Sequence, residues 1–318
     1  MIIDAHQHVF WHKHNDADLI ADMDECGIGF AWVLTWEIPP GEARAGMGVF
    51  NPATVHPEGY SPGMTLDDVL KMHDRYPDRV IVGYCPDPTL GEAPEMFEAA
   101  YHMHGARVCG ECKFRVLLDD PRCLNLFRRA GKLGCPVLFH IDVPYRADGK
   151  GGTAYDAYWY GGTIENVERA LAACPETTFV GHAPGFWREI SGDADRDGKV
   201  YPDGPVAAGG RLIRVLQAYP NLYADLSAGS GRIALQRDPA HARKFLNRFA
   251  DRLLFGRDMH GAELHNFLRT LNLPKTVRDK IYHKNAMRLT GQPLGKRGLQ
   301  AAMRSPSEAP KRRSRPAR

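Results

Sequence analysis

Residues 1–8 read Met-Ile-Ile-Asp-Ala-His-Gln-His, an apolar run that turns polar after three positions and closes on two histidines. The run predicts a short strand over 2–5. Side chains alternate along a strand, so His6 and His8, two apart, point to the same side. Runs of the same kind recur down the chain at Ala31–Trp36, Val80–Tyr84, Val108–Phe114, Val137–His140, Thr178–His182, Leu222–Asp225 and Leu253–Phe255. Amphipathic stretches separate them: Asp16–Glu25, Thr65–Arg75, Glu92–His104, Pro121–Leu133, Thr163–Ala173, Gly209–Tyr219, Pro239–Phe249 and Gly261–Leu271. Thr65 followed by Leu-Asp-Asp is a helix start, with a hydroxyl cap and acids in the first turn. Prolines and glycines close several helices just before the next strand, as in Leu-Gly-Cys-Pro-Val at 133–137. Strand and helix in alternation imply βαβ units and a parallel sheet. Eight such units point to an α/β fold of the (β/α)₈ barrel type, which takes roughly 250 residues.

Three long connections interrupt the rhythm: Glu37–Met64, Pro144–Gly162 and Ala183–Ala208. Each follows a strand, so each belongs to the C-terminal face of the barrel. That face carries the active site in such barrels, and long loops there suit a lid or wall.

The chemistry-bearing residues fall at the same face. An HxH pair at a strand end is a two-point chelate for a transition metal, weak evidence alone. His140 ends the fifth predicted strand and His182 the sixth, and Asp258 follows the eighth. Five such groups at strand ends, where a structural role is least expected, make a metal site. Glu111 and Lys113 share a face of the fourth strand. Glu111 is placed to ligate or bridge a metal, and Lys113 to pair with it or to hold an anionic substrate; a buried ion pair is the other reading. Imidazoles with one or two carboxylates suit Zn, Mn, Fe or Ni, with zinc the default. Such a metal lowers the pKa of water toward ~7, and Asp258 is placed to accept the proton.

The chain has 318 residues, 25% of them charged, with a formal charge of +3. The segment 295–318 holds eight basic residues and one acidic, a net +7; the remaining 33 basic and 37 acidic residues give −4. With three prolines and no apolar period, this segment is expected to be a disordered basic tail beside a barrel domain over 1–294. A tail of this charge can touch nucleic acid or anionic surfaces, or serve as a solvated appendage. No run approaches the ~18 apolar residues of a membrane helix and no secretory signal is seen, so a cytoplasmic location is expected. Seven cysteines are scattered, and Cys109–Cys112 has CxxC spacing without the second pair a structural zinc site needs. They read as reduced, buried thiols.

Taken together, Asp-Ala-His-Gln-His at 4–8, Phe-His-Ile-Asp at 139–142, Val-Gly-His-Ala-Pro-Gly-Phe-Trp at 180–187 and Leu-Phe-Gly-Arg-Asp at 254–258 resemble the amidohydrolase superfamily, in its amidohydrolase-2 branch. The resemblance covers residues 1 to about 290. It implies a (β/α)₈ barrel with one or two divalent metals, with His6, His8, His140 and Asp258 as ligands. It further implies His182 as a second-metal ligand or catalytic electrophile and Asp258 as general base. Two departures stand out. Arg257 precedes the acid where the branch more often has Ser or Thr, which suggests altered charge near the base. Strand four carries both Glu111 and Lys113, which leaves the metal count open.

Substrate contacts are expected in the loops after the strands: Trp36 and Glu37, Tyr145 and Arg146, Phe186, Trp187 and Arg188, and the stretch from Ser227 to Arg232. Aromatics with arginines suit a small aromatic or unsaturated carboxylate, although loop packing explains them equally. Asp193, Asp195, Asp197 and Gly198 resemble the start of a calcium loop, but position 204 is glycine where such a loop wants glutamate, so this is an acidic surface loop. The sequence is therefore read as a metal-dependent hydrolase of a lactone, amide or ester-like bond. Non-oxidative decarboxylation of an aromatic or unsaturated carboxylic acid is the alternative, and a non-catalytic metal-binding protein with a nucleic-acid- or partner-binding tail is the second. A homodimer is possible on the resemblance alone.

Overall fold

The structure, a computed structural model, describes residues 1–39, 42, 61–147, 150, 153–155, 159–195 and 199–291. The expected tail, residues 196–198 of the acidic loop and the middle of the first two long connections lie outside the described residues.

Twelve strands occur among the described residues, in chain order. They are β1 (Ile3–Gln7), β2 (Phe30–Val33), β3 (Trp36–Glu37), β4 (Gly63–Met64), β5 (Val80–Val82), β6 (Cys109–Cys112), β7 (Val137–His140), β8 (Tyr145–Ala147), β9 (Thr153–Tyr155), β10 (Phe179–His182), β11 (Leu222–Asp225) and β12 (Leu253–Leu254). Eight of them are parallel and stand in the order of the chain: β1-β2-β5 in one sheet, β6-β7-β10-β11-β12 in the other. The remaining four make two antiparallel ribbons, β3 with β4 and β8 with β9, inside the long connections.

Main-chain hydrogen bonds cross both gaps between the two sheets. From β5 to β6, Arg107 N–H donates to Val82 O at 2.9 Å, Tyr84 N–H to Val108 O at 2.9 Å and Gly110 N–H to Tyr84 O at 3.2 Å. From β12 to β1, Ala5 N–H donates to Phe255 O at 2.8 Å and Asp258 N–H to His6 O at 2.9 Å. Below Ala5 that last seam is wedged open, because the Phe255 N–H turns to Ile281 O at 2.8 Å, in a π-helical turn over Lys280–Lys284.

Strand residues pointing inward fill the ring. Ile3 and Ala5, Phe30 and Trp32, Ile81, Val108, Leu138, Val180 and Leu254 form one buried cluster, which Tyr223 of β11 joins. Seven of the eight strands contribute, together with Val108 just before β6, which is the packed interior of a (β/α)₈ barrel rather than a pore. Ala286 of the helix Asn285–Thr290 belongs to the same cluster. The Asn285 amide donates to Ala250 O and Leu253 O, so that helix plugs the N-terminal end of the ring. A second, larger apolar layer lies between strands and outer helices.

The outer helices start where the sequence caps them. Asn15 and Asp18 form a capping box on the helix Asp16–Glu25, and Thr65 and Asp68 another on Leu66–Arg75. One helix, Ala228–Gln236, occupies a stretch the sequence reads as loop. Its glycines at 229 and 231 hide it from propensity. Gly231 is nonetheless required, since a Cβ there would lie 2.5 Å from Leu226 O. All seven cysteines are free thiols, six of them buried. No helix among the described residues is long and apolar enough to cross a membrane.

Candidate metal centre

The C-terminal ends of the barrel strands bring His6, His8, Glu111, His140, His182 and Asp258 to one place. His6 comes from β1 and His8 from the residue after it, Glu111 from β6, His140 from β7, His182 from β10, and Asp258 from four residues past β12. Among the described residues, buried groups whose ligand atoms all lie within 4.8 Å of one another form three overlapping sets: His6–His8–Glu111, Glu111–His140–His182 and His6–His182–Asp225.

The first set lies at the end of β1. His6 Nε2 and His8 Nε2 stand 3.2 Å apart. Asp258 Oδ1 lies 3.9 Å from the first and 3.6 Å from the second, and Glu111 Oε2 lies 3.4 Å from His8 Nε2. The protons of both imidazoles are placed by their other nitrogens. His8 Nδ1 donates to Leu34 O at 2.9 Å, and His6 Nδ1 to the Asp225 carboxylate at 2.7 Å. In the neutral form both Nε2 atoms therefore carry lone pairs, and the lone pairs face each other. Asp258 Oδ1, buried and without a hydrogen-bond partner, faces the same point. Such a gathering of acceptors is relieved by a positive charge at its centre, either a bound cation or a proton on His6, whose imidazole is pushed up. Ligand atoms about 2.0–2.2 Å from a tetrahedral ion stand roughly 3.3–3.6 Å from one another, and the separations here, 3.2 to 3.9 Å, bracket that span. The donor set fits a divalent metal.

Both carboxylates look two ways. Glu111 Oε1 accepts from His140 Nδ1 at 2.7 Å and lies 3.8 Å from His182 Nε2, while Asp258 Oδ2 lies 3.6 Å from that same Nε2. The group Glu111–His140–His182 thus adjoins the first, sharing Glu111 with it. His140 Nε2 turns the other way, to Asp142 Oδ2 at 3.4 Å.

Asp225, at the end of β11, is the residue the sequence reading passed over. Its Oδ2 holds His6 Nδ1 and its Oδ1 holds His182 Nδ1 at 3.0 Å, so one carboxylate fixes the ring orientation of both histidines. Ser227 Oγ donates to Asp225 Oδ1 at 2.8 Å and lies 2.8 Å from His182 Nδ1. The signal was present in the sequence: Asp225 is the acid that closes the seventh strand.

The electrostatics follow from burial and pairing. Burial favours neutral His6, but Asp258 and Asp225 overcome it and push the imidazole up to about 9. Burial likewise opposes the Asp225 charge, and His182 and His6 override it, holding the carboxyl well below the usual range. Glu111 is held low against its burial by Lys113 and His140. His182 goes down, by burial first, partly offset by Asp225.

Around the centre stands an aromatic wall. Trp11 meets His8 with ring centroids 5.5 Å apart and donates its Nε1–H to Asp258 O at 2.8 Å. Trp36 meets Trp11 at 5.9 Å and Tyr160 at 6.2 Å. Lys113 sits within it, its Nζ 3.6 Å from the Trp36 ring centre and 5.6 Å from that of Tyr160. Backbone with positive φ collects here too, at Ala183 (81°) after His182, Ala228 (58°) after Ser227, and Asp258 (51°). Non-glycine residues persist in that region where the surroundings over-determine them, often at functional sites.

The other candidates lie elsewhere. Glu37 Oε1 accepts from Leu66 N–H and clasps a helix start. Phe186 and Trp187 are fully buried, and the Trp187 indole donates to Asp225 O, which leaves neither ring open to a ligand. Arg188 is buried against Asp195, and Arg232 Nη1 donates to Gln236. Tyr145 and Arg146 belong to β8, and their side chains lie outside the described residues. Asp193 pairs with Arg237 and Asp195 with Arg211, so the acidic loop is neutralised by arginines. Arg257 does not face the centre. Its guanidinium meets Asp4 and Asp22, so the altered charge expected near Asp258 is spent on partners behind it.

The sequence profile of the amidohydrolase (amidohydrolase-2) family matches residues 3–291. The chain belongs to that family. Solved structures share its fold at low identity. An amidohydrolase from Burkholderia multivorans with bound HEPES is 15% identical over 92% of this chain and 100% of its own, with a TM-score of 0.59. A 2,6-dihydroxybenzoate decarboxylase from Rhizobium is 16% identical over 91% and 98%, with a TM-score of 0.54. A protein from Acinetobacter baumannii described as a probable 2-pyrone-4,6-dicarboxylic acid hydrolase, with citric acid bound, is 14% identical over 92% and 99%, with a TM-score of 0.54. No curated protein matches the chain. As an amidohydrolase, it belongs to a superfamily whose members bind divalent metals, and its buried His, Glu and Asp groups can hold one.

Proposed function

We propose that the protein is a metal-dependent hydrolase of a small organic carboxylate with a lactone, amide or ester-like bond. The observation that carries this reading is the convergence of His6 Nε2, His8 Nε2, Glu111 Oε2 and Asp258 Oδ1, with the Nδ1 proton of each imidazole committed elsewhere. Two histidines with carboxylates suit zinc first, then Mn, Fe or Ni. A divalent ion supplies Lewis acidity toward a scissile carbonyl and lowers the pKa of water toward ~7.

The rest of the chemistry belongs to the chain. Asp258 is the one carboxylate at the inner cluster with a partly open side chain, 13% exposed against 2% or less for Glu111 and Asp225. With Oδ1 turned to the cation position, its Oδ2 takes the proton of the attacking water and returns it to the leaving group. Asp225 holds His182 as the Nδ1–H form, so neutral His182 presents a lone pair at Nε2, suited to a ligand or proton acceptor rather than a donor. Lys113 lies against the Trp36 and Tyr160 faces beside Glu111, and its ammonium receives the substrate carboxylate at the edge of the centre. The wall of Trp11, Trp36 and Tyr160 excludes water and suits a flat, unsaturated acid.

A second reading, non-oxidative decarboxylation, has its own observation. Protonating the carbon that loses CO₂ needs an acid, and His140 lies between two carboxylates, Glu111 at 2.7 Å and Asp142 at 3.4 Å, the surroundings of an imidazolium. One experiment separates the two. Purified protein with measured metal content is offered a panel of lactones, amides and unsaturated or aromatic acids in H₂¹⁸O. Hydrolysis incorporates ¹⁸O into the product acid; CO₂ release without incorporation overturns the hydrolase reading. Protein that neither holds nor takes up a divalent metal overturns both.

A further inference from the structure

Outside the centre's own ligand groups, Asp4 and Arg257 form an ion pair, Arg257 Nε donating to Asp4 Oδ2 at 2.6 Å with side chains 0% and 2% exposed. Burying two charges costs more than it returns unless the remaining hydrogen-bonding capacity is filled. On the Asp4 side it is filled by the segments that carry the centre, two main-chain N–H groups and the Gln7 side chain. Asp4 Oδ1 accepts the N–H of Arg257 at 2.9 Å and that of His6 at 3.3 Å, and Oδ2 accepts the Gln7 amide at 2.9 Å. A single carboxylate thus grips the chain at His6 and the chain immediately before Asp258. The same two segments are joined again where Asp258 N–H meets His6 O.

Asp258 needs such a grip, since its backbone is left-handed at φ 51°. Arg257 carries the hold outward. Its Nη1 meets Asp22 Oδ2 at 2.6 Å, on the helix Asp16–Glu25, and Gly261 O at 2.9 Å. Asp22 Oδ1 in turn accepts the Gly261 N–H at 2.7 Å, which closes the loop that follows Asp258. A serine or threonine at 257 is too short to span Asp4 and Asp22 together.

We propose that the Asp4–Arg257 pair is a clamp that sets the spacing of His6 and Asp258, the two residues acting as positioning residues through the main chain. The proposal rests on reading His6 and Asp258 as metal-holding groups.

The test uses the full chain with Co²⁺ as the probe. Three quantities are measured for wild type, Arg257→Met, Arg257→Lys and Arg211→Met: Co²⁺ affinity by chelator competition, the visible spectrum of the Co²⁺-loaded protein, and amide exchange at His6 and Asp258 in metal-free protein. Arg211 is a control, an ion-pair hub bound to Glu165, Glu189 and Asp195. Residues that orient metal ligands change affinity by about 10–100-fold when altered. Arg257→Met is expected to weaken Co²⁺ by at least tenfold, to change the spectrum, and to speed exchange at both amides. Arg257→Lys should regain part of each, whereas Arg211→Met lowers Tm and leaves all three alone. Wild-type affinity, spectrum and exchange in Arg257→Met overturn the clamp, as does an equal response in Arg211→Met. If Arg257→Met does not fold, Asp4→Asn takes its place under the same criteria. If wild type takes up no Co²⁺, the metal reading falls, and exchange at the two amides decides the clamp alone.

Discussion

The two ends of the barrel are built from the same strands and follow opposite rules. At the floor, Ile3, Phe30, Ile81, Val108 and Leu254 pack on Ala286 with no charge among them. Toward the other end of the ring stand His6, Glu111, His140, His182 and Asp225, buried and all ionisable. Dispersion and area burial hold the floor, where exchanging one apolar side chain for another of similar size is tolerated. The mouth is held by pairing, since each buried charge must keep its partner. The floor therefore accounts for stability and the mouth for chemistry, with the Asp4–Arg257 pair as the link between them.

That division can be broken in four ways, from the largest expected effect to the smallest. Stripping the metal with a chelator should abolish turnover and lower Tm, and adding Zn²⁺ back should restore both; turnover that survives metal removal breaks the account of the mouth. Next, Asp258→Asn should lower kcat/KM by about 10²–10⁴-fold, the usual contribution of a general base, with circular dichroism unchanged. Leu254→Ala, on the floor, should cost about 2–5 kcal/mol in denaturant unfolding. Its kcat/KM per folded molecule should stay within roughly twofold, and a larger fall would mean the two ends are not independent.

The smallest effect sharpens the boundary of the mouth. His260 stacks on His14 with ring centroids 3.9 Å apart, and burial together with the His14 charge lowers its pKa to about 4. The unfolded histidine titrates near 6.5. Between these values the unfolded chain binds the extra proton, so stability rises with pH there and is lost as pH falls from about 6.5 toward about 4. A series of Tm measurements across that window should show the slope, and His260→Gln should flatten it. An unchanged slope would assign the acid sensitivity to other groups.

Much of this was legible in the sequence, for a physical reason. Strand ends are found from short apolar runs, and a histidine or acid just past such a run has no packing role to explain it. His6, His8, His140, His182 and Asp258 are visible on that ground alone. Asp225 met the same criterion, yet a lone acid at a strand end also reads as a terminus, and only the distances to two histidines identify it. Arg257 was read from its neighbour in sequence, Asp258, whereas its partners Asp4 and Asp22 lie more than 230 residues away. Trp187 and Arg188 looked like loop residues near a strand end, but the loop folds inward and buries them. Local pattern places the elements and the residues that end them. Long-range contact decides which of those residues face one another.

The wedge in the last seam bears on the order in which the molecule can be made. His6 precedes its partners Asp225 and Asp258 by more than 200 residues of chain. The wall itself is not finished by its eighth strand, because the Phe255 N–H waits for Ile281. A nascent chain therefore carries His6 and His182 without the Asp225 carboxylate that holds both rings until β11 is made. It closes the ring and assembles the centre in one late event, so chains arrested before Ile281 should remain sensitive to protease while chains released beyond Gly291 resist it.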